Sequence, residues 1–194
     1  MKSSLPNVLT GFRIAIIPVL VGALFAGGDA GRWMALALFT VAAITDFFDG
    51  YAARRMGSMS RLGQMLDPIA DKLLITAALV MLVAQGPIDG IHVVAVVIIL
   101  LREVLISGMR EFLAGDRITV AVTLLAKWKT TLQMFATGML LLGPAGDRLL
   151  WGFTDISLFL LWVAALLTAY TGFEYLRGVW GHLVESPVSD QEIS

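Results

Sequence analysis

The sequence contains no cysteine, and only 15% of its 194 residues are charged. The absence of cysteine excludes a disulfide framework, a thiolate metal site and a cysteine nucleophile. Soluble domains carry about 25% charged residues, whereas this chain is 58% hydrophobic with a mean hydropathy of +0.83. The composition therefore indicates an integral membrane protein. The formal net charge of −1 provides no overall positive field, which argues against nucleic acid as a partner.

The length is that of a single domain, and its apolar runs predict membrane-spanning helices. A helix that crosses a bilayer needs about 20 mostly apolar residues. Six segments meet this requirement: 8–26, 33–57, 66–85, 91–114, 119–143 and 150–177. Turn-rich connectors are predicted at 26–32, 85–90 and 143–148. We therefore predict an all-α integral membrane protein with six transmembrane helices in residues 1–181, followed by a polar tail over 182–194. The N-terminal apolar stretch has no convincing cleavage site, so we interpret it as a retained first helix.

Basic residues are distributed unequally between the two ends of the predicted helices. With the N-terminus in the cytoplasm, six spans return the C-terminus there, and most cations then fall on the cytoplasmic side. Those cations are Lys2, Arg13, Arg54, Arg55, Arg61, Arg117, Lys127, Lys129 and Arg177. Arg32 and Arg148 lie at the opposite end. This asymmetry places the polar stretch 45–72 at the cytoplasmic face.

The stretch 45–72, TDFFDGYAARRMGSMSRLGQMLDPIADK, gathers four carboxylates in a chain that is otherwise apolar. Asp46 and Asp49 are three residues apart, and Asp67 and Asp71 are four apart, so each pair shares a helix face. Four carboxylates at a membrane edge repel one another and are costly to desolvate, and a divalent cation is the simplest remedy. Oxygen ligands without histidine or cysteine indicate Mg²⁺ or Mn²⁺. Two such ions would form a clamp for phosphoryl transfer.

Small and basic residues beside the carboxylates fit the same chemistry. Gly50 removes a side chain where a phosphate could approach, Ala53 keeps that face shallow, and Arg54 can donate two hydrogen bonds to a diphosphate. Pro68 is expected in the first turn of the third helix, where no intrahelical hydrogen bond is lost. The simpler interpretations are that the arginines anchor the membrane surface, the glycines pack helices and Asp67 caps a helix.

These residues resemble, without departure, the signature of the CDP-alcohol phosphatidyltransferase family: Asp46-x2-Asp49-Gly50-x2-Ala53-Arg54-x8-Gly63-x3-Asp67-x3-Asp71. Members of that family are six-helix membrane enzymes, usually dimeric, that transfer a phosphoalcohol group from a CDP-alcohol to an acceptor hydroxyl and release CMP. The resemblance implies that Asp71 is the general base. It implies two divalent cations, Mg²⁺ or Mn²⁺, on Asp46, Asp49, Asp67 and Asp71. It further implies that the CDP moiety is held by Asn7, Thr10, Asp49, Gly50, Ala53, Arg54 and Ser60.

Basic residues outside the stretch 45–72 indicate which kind of acceptor the enzyme would use. Arg102 and Arg110, eight residues apart in the fourth predicted span, share a helix face, and Lys127 and Lys129 lie at the start of the fifth. Such a cluster would attract an acceptor that carries its own phosphate. A choline-like acceptor would instead favour an aromatic cage.

Two arginines have a second interpretation. Arg13 shares a helix face with Asn7 and Thr10 if that region is helical, but it could equally be a snorkelling side chain. Arg102 could equally pair with Glu103 or with another carboxylate rather than with a substrate.

Three further stretches, LPNVLTGFRI, LREVLISGMREF and KWKTTLQM, resemble the bacterial members of the family that use CDP-diacylglycerol and sn-glycerol 3-phosphate. That resemblance implies a homodimer in the bacterial cytoplasmic membrane, in contact with lipid and with the active site facing the cytoplasm. It implies that the acceptor phosphate is held by Arg61, Arg102, Arg110, Lys127 and Lys129. The alternatives are a cardiolipin or phosphatidylinositol-phosphate type of synthase, which shares the same signature, and a divalent-cation transporter. A transporter would need acidic residues through the whole membrane depth, whereas here they concentrate at one end.

Overall fold

All secondary structure in the part of the chain that the structure describes is α-helical. The computed structural model describes residues 5–56, 61–115 and 124–185, with side chains for 9–46, 66, 68–113, 125 and 128–180. The helices are α1 Leu5–Ala26, α2 Gly28–Met56, α3 Arg61–Ala84, α4 His92–Gly115, α5 Leu124–Leu142, α6 Pro144–Asp147 and α7 Phe153–Glu185. The six long helices coincide with the six segments predicted from hydropathy.

Three of these helices are long and apolar enough to cross a bilayer. The qualifying segments are Leu9–Ala26 in α1, His92–Leu113 in α4 and Phe153–Trp180 in α7. The prediction of an all-α membrane protein is thereby confirmed, and three of its six spans are supported by length and hydropathy. Passage of α2, α3 and α5 through the bilayer stays a prediction.

The predicted connector at 26–32 is much shorter in the structure. Between α1 and α2 only Gly27 is non-helical, and φ values of 72° at Gly27 and 65° at Gly28 turn the chain. Both are positive φ values, which glycine adopts without steric cost. At Gly31 an added Cβ would lie 2.4 Å from the carbonyl oxygen of Ala23, so a side chain there would force the two helices apart.

The start of α3 also differs from the prediction. Because α3 begins at Arg61, Pro68 lies in the helix interior rather than in the first turn, and the expectation for it is wrong. The proline ring removes one intrahelical hydrogen bond there. Asp67 likewise lies within α3, which excludes its interpretation as a helix cap. At the other end of the chain, α7 continues to Glu185, so the first part of the predicted tail is helical.

The helices pack through small and aliphatic side chains, while the outer surface is also apolar. α1 contacts α2 and α3, α5 contacts α2 and α7, and α4 contacts α7. Leu20, Phe39 and Leu79 are among the buried residues between these helices. Other large apolar side chains, such as Phe25 and Val104, are exposed on the outside. An exposed apolar surface of this kind marks contact with lipid or a partner.

Exposed tryptophans lie toward both ends of the helix bundle. Trp33 lies near the start of α2 and Trp151 just before α7, whereas Trp128 lies near the start of α5 and Trp180 toward the end of α7. Because α5 and α7 pack as a helical hairpin, the second pair lies at the end opposite to Trp151. Tryptophan is enriched at both interfaces of a bilayer, so the two pairs fit a membrane-spanning bundle.

The first turn of α7 is fixed by a carboxylate cap outside the membrane-spanning segments. Asp147 Oδ1 accepts a hydrogen bond from the Thr154 backbone N–H at 2.8 Å, and Asp147 Oδ2 accepts one from the Thr154 hydroxyl at 2.6 Å. The hydrogen bonds from the Thr154 hydroxyl and backbone lower the pKa of Asp147 below its ordinary value, because they favour the ionised carboxylate.

Candidate active site

Helices α1, α2 and α3 bring three charged side chains together. Arg13 Nη2 lies 3.0 Å from Asp46 Oδ1, and Arg13 Nη1 donates a hydrogen bond to Asp71 Oδ1 at 2.6 Å. The Arg13 side chain is fully buried, whereas those of Asp46 and Asp71 are 42% and 44% exposed. A buried arginine needs anionic partners because its charge is costly to desolvate. Arg13 therefore belongs to the site and is not a snorkelling side chain.

The sequence of α1 explains how Arg13 reaches this position. Buried residues recur along α1 as Thr10, Arg13, Ile16, Leu20 and Leu24, at intervals of three and four. That spacing forms one continuous stripe on a helix. The stripe is apolar toward the C-terminal end of α1 and polar toward its N-terminal end, so the same packed face supplies both core and site.

A cavity of about 110 Å³ lies beside these charges. Its polar lining consists of Arg13, Asp46, Asp71, Lys72, Glu103, Thr130 and Gln133, and its apolar lining of Ala42, Ala43, Leu74, Ile75 and Met134. The first five helices all contribute to it. The predicted metal ligand Asp46 and the predicted base Asp71 thus share one space with residues of α4 and α5. The volume is several times the roughly 10–15 Å³ that one water requires, so the cavity can admit part of a small substrate.

Charged residues of α4 and α5 form a second cluster, which we call the Glu103 cluster: Glu103, Arg102, Lys129 and Arg110. Of these four residues, Glu103 lines the cavity. Glu103 Oε1 accepts hydrogen bonds from Lys129 Nζ and, at 3.4 Å, from Arg102 Nη1. Arg102 is thus paired with Glu103, as one interpretation of the sequence has it. The charge of Arg110 acts on both Arg102 and Lys129. Three cations and one carboxylate leave a formal charge of 3 − 1 = +2 in the cluster, which would attract an anion.

Helix α7 also contacts Arg102 and helps to fix its position. Arg102 Nη2 donates a hydrogen bond to Thr171 Oγ1 at 3.4 Å. The next residue, Gly172, has no side chain, and a Cβ there would lie 2.9 Å from Arg102 Cγ. The glycine therefore gives the aliphatic part of Arg102 the room it needs between α4 and α7.

Part of the predicted site falls where no side chain is described. These residues are Asn7, Asp49, Gly50, Ala53, Arg54, Arg61, Asp67 and Lys127, and Ser60 lies outside the described residues altogether. Of the remaining predicted residues, Asp46 and Asp71 line the cavity, and Lys129 and Arg102 contact Glu103. Thr10 is buried in α1. The individual roles assigned to all these residues stay predictions.

The described carboxylates fit a hard divalent cation. Asp46 Oδ1 and Asp71 Oδ1 approach one guanidinium from two helices, so oxygens of α2 and α3 already converge on a single positive charge. Carboxylate oxygens without nitrogen or sulfur ligands suit Mg²⁺ or Mn²⁺. Within the described side chains there is no group of three or more metal-ligating residues, and Asp49 and Asp67 are not among those side chains.

An apolar groove of about 870 Å³ adjoins the polar cavity. Ala43 and Met134 line both spaces, so the groove and the cavity meet at these two residues. Its lining is mostly apolar and includes Leu36, Phe39, Ile44, Phe135, Met139 and Leu142. A polar cavity beside an apolar groove suits an amphipathic molecule with a charged head and hydrocarbon chains.

Of the seven polar residues that line the cavity, only Asp46 and Asp71 were predicted site residues, and Arg13, Lys72, Glu103, Thr130 and Gln133 were not. Gln133 lies four residues after Lys129, a spacing that puts both on one face of α5. That spacing was a usable signal. The sequence suggested Glu103 only as a partner of Arg102, although a carboxylate in an apolar span needs cationic neighbours to offset the cost of its desolvation. For Arg13 the signal was its register with Thr10, which is also buried.

The chain is similar in sequence to a known protein family and to proteins from several bacteria. The family model described as CDP-alcohol phosphatidyltransferase matches residues 3–170. A relative from Rickettsia bellii, named CDP-diacylglycerol--glycerol-3-phosphate 3-phosphatidyltransferase, is 44% identical over 177 residues, covering 91% of this chain and 96% of the relative. Proteins of the same name from Cereibacter sphaeroides and Haemophilus influenzae are 39% and 36% identical. They cover 91% and 96% of this chain, and 96% and 98% of their own length.

Proposed function

Because the chain belongs to the CDP-alcohol phosphatidyltransferase family, we propose that it transfers the phosphatidyl group of CDP-diacylglycerol to sn-glycerol 3-phosphate. The products are phosphatidylglycerophosphate and CMP. The observation that carries the proposal is the cavity lined by Asp46, Asp71 and Glu103, because Glu103 in turn binds Lys129 and Arg102. A carboxylate able to take a proton thereby shares one space with the carboxylate that holds two cations. The names of the relatives support this choice of acceptor.

The donor would be held at the carboxylate end of the cavity. We assign Asp46, Asp49, Asp67 and Asp71 as ligands of two divalent cations, Mg²⁺ or Mn²⁺. When bound, these ions supply stabilisation of the negative charge that develops on the diphosphate oxygens. The residues assigned to the CDP moiety are Asn7, Thr10, Asp49, Gly50, Ala53, Arg54 and Ser60. The acyl chains would follow the apolar groove from Ala43 and Met134.

Asp71 is the proposed general base. Its carboxylate takes the proton of the C1 hydroxyl of glycerol 3-phosphate, and that oxygen attacks the phosphorus bonded to the diacylglycerol oxygen. The bond from this phosphorus to the oxygen of CMP breaks, and CMP leaves with the bonding electrons. Arg13 acts as a positioning residue, because it holds one oxygen of Asp71 and one of Asp46 in place.

The acceptor phosphate would be held by basic residues, three of which belong to the Glu103 cluster. The residues assigned to it are Arg61, Arg102, Arg110, Lys127 and Lys129. Glu103 supports this arrangement, because one of its carboxylate oxygens holds both Lys129 and Arg102 before substrate enters. Preorganised cations of this kind need less rearrangement on binding.

The proposal includes the arrangement in the membrane. We propose six spans within residues 1–181, a polar tail over 182–194, a homodimer in contact with lipid and a site that faces the cytoplasm of a bacterial cell. The excess of lysine and arginine at the site's end of the helices supports this orientation. The tryptophans toward both ends of the bundle support the passage through the bilayer.

The test is CMP release by purified protein in detergent with CDP-diacylglycerol and a panel of acceptors. We expect release with sn-glycerol 3-phosphate and Mg²⁺ or Mn²⁺, and none with inositol phosphate, serine, choline or phosphatidylglycerol. Release that depends on inositol phosphate or phosphatidylglycerol would replace the acceptor within the same family. CMP release that is independent of glycerol 3-phosphate overturns the proposed acceptor.

A further inference from the structure

Gln133 lines the cavity and carries a buried hydrogen-bond acceptor. The residue is 4% exposed, and among the described residues its side-chain Oε1 has no hydrogen-bond donor. Buried polar atoms in folded proteins are nearly always paired, so an unpaired one indicates a missing donor. The oxygen belongs to a residue that lines the cavity together with Asp71 and Glu103.

Gln133 lies near residues assigned to both ends of the acceptor, its phosphate and its attacking hydroxyl. It follows Lys129 by one helical turn on α5, and both side chains are buried on the same face. Lys129 is held by Glu103, at the end assigned to the phosphate, and Asp71 is at the end assigned to the attacking hydroxyl. In glycerol 3-phosphate the carbon between these two groups is C2, which carries a second hydroxyl. An O–H group is a donor of the kind that Gln133 Oε1 lacks.

We propose that Gln133 Oε1 accepts a hydrogen bond from the C2 hydroxyl of the acceptor and makes Gln133 a specificity-determining residue. This inference rests on the proposed function. A site built to bond a substrate hydroxyl rejects the analogue that lacks it, because the buried partner is then left unpaired. Gln133 would thus select glycerol phosphate over phosphorylated alcohols without a hydroxyl at the middle carbon.

The test compares two acceptors on each enzyme preparation. One is sn-glycerol 3-phosphate, and the other is 1,3-propanediol monophosphate, which differs only by the absence of the C2 hydroxyl. For the wild type, kcat/KM should favour glycerol phosphate by about tenfold to a hundredfold, the factor expected when one buried hydrogen-bond partner is left unpaired. Gln133→Met keeps the length of the side chain and removes the acceptor, so it should lower this ratio to within about threefold of one. The ratio does not depend on how much of a preparation is folded.

Two further variants show whether the change is specific. Gln133→Glu retains an oxygen acceptor and should keep the preference, even if its added charge weakens both acceptors. Thr137→Val is the matched control: Thr137 lies one turn further along α5, is buried, has an Oγ1 without a partner among the described residues, and does not line the cavity. It should leave the ratio at the wild-type value.

The outcomes separate the inference from the function on which it rests. A wild type that uses glycerol phosphate without preference, or a Gln133→Met enzyme with the wild-type ratio, overturns the role of Gln133 alone. A wild type that releases no CMP with glycerol phosphate overturns the proposed function and the inference together. A ratio that collapses in Gln133→Met and survives in Gln133→Glu and Thr137→Val supports the inference.

Discussion

Replacement of Arg13 with methionine should destabilise the protein through the two carboxylates that Arg13 bridges. The variant removes contacts of 3.0 Å to Asp46 and 2.6 Å to Asp71 and leaves both carboxylates without this charge. Loss of one partner from a buried ion pair costs about 3–5 kcal/mol. The carboxylates are 42% and 44% exposed, so water can solvate them in part. We therefore expect the free energy of unfolding to fall by about 2–3 kcal/mol, below the cost of a fully buried pair.

The assay is thermal unfolding in detergent, measured with a chelator and again with Mn²⁺. In chelator, Arg13→Met should melt several degrees below the wild type. Mn²⁺ at Asp46 and Asp71 can replace the lost positive charge, and a ligand that binds the folded state stabilises it. Mn²⁺ should therefore raise the melting temperature of the variant more than that of the wild type.

The matched control is Arg148→Met. Arg148 also forms an ion pair with an aspartate of another segment, Asp29, but the arginine side chain is 70% exposed. Exposed pairs contribute about 0–1 kcal/mol, so this variant should melt close to the wild type and respond to Mn²⁺ as the wild type does. Equal melting temperatures of Arg13→Met and the wild type in chelator would refute the reasoning, as would an equal response of both to Mn²⁺.

Two further predictions concern the space around the substrates. Gly172→Ala places a methyl group 2.9 Å from Arg102 Cγ, which should displace that side chain and raise the KM for glycerol 3-phosphate roughly tenfold, equivalent to about 1.4 kcal/mol. Gly178→Ala on the same helix, where an added Cβ meets nothing within 4 Å, should leave KM unchanged; the same KM in both variants would contradict the prediction. Gly138→Leu fills the apolar groove and should lower kcat/KM for long-chain CDP-diacylglycerol about tenfold more than for a short-chain analogue. An equal loss with both donors would show that the groove does not hold acyl chains.

The sequence predicted the helices well because hydropathy and length determine them. Each of the six long helices matches a predicted segment, since about 20 apolar residues have few other structures available in a membrane. The helix ends were less predictable. The glycines at 27 and 28 turn the chain in one non-helical residue, and α3 begins before the polar stretch ends, which places Pro68 inside the helix.

The site was predictable where its residues repeat at helical spacing and unpredictable where it depends on contacts between helices. Asp46 and Asp71 could be identified because each belongs to a pair on one helix face. Their shared contact, Arg13, is 58 residues from Asp71 in the chain, and no local spacing connects them. The same holds for Glu103 and Lys129, which are 26 residues apart and meet only when α4 and α5 pack. The local spacing of residues determines which side chains share a helix face. Which helix that face contacts depends on how the helices pack, and the spacing does not show it.

In the proposed reaction, the carboxylates that line the cavity and the neighbouring Glu103 cluster transfer a phosphatidyl group to glycerol 3-phosphate. The most direct test measures the lipid formed by the wild type and by Asp71→Asn from CDP-diacylglycerol, sn-glycerol 3-phosphate and Mg²⁺. We expect phosphatidylglycerophosphate and an equal amount of CMP from the wild type. We expect neither product from Asp71→Asn, although that variant should elute from a sizing column as the wild type does. Phosphatidylglycerophosphate formed by Asp71→Asn at the wild-type rate would contradict the role of Asp71 as general base and the proposed reaction with it.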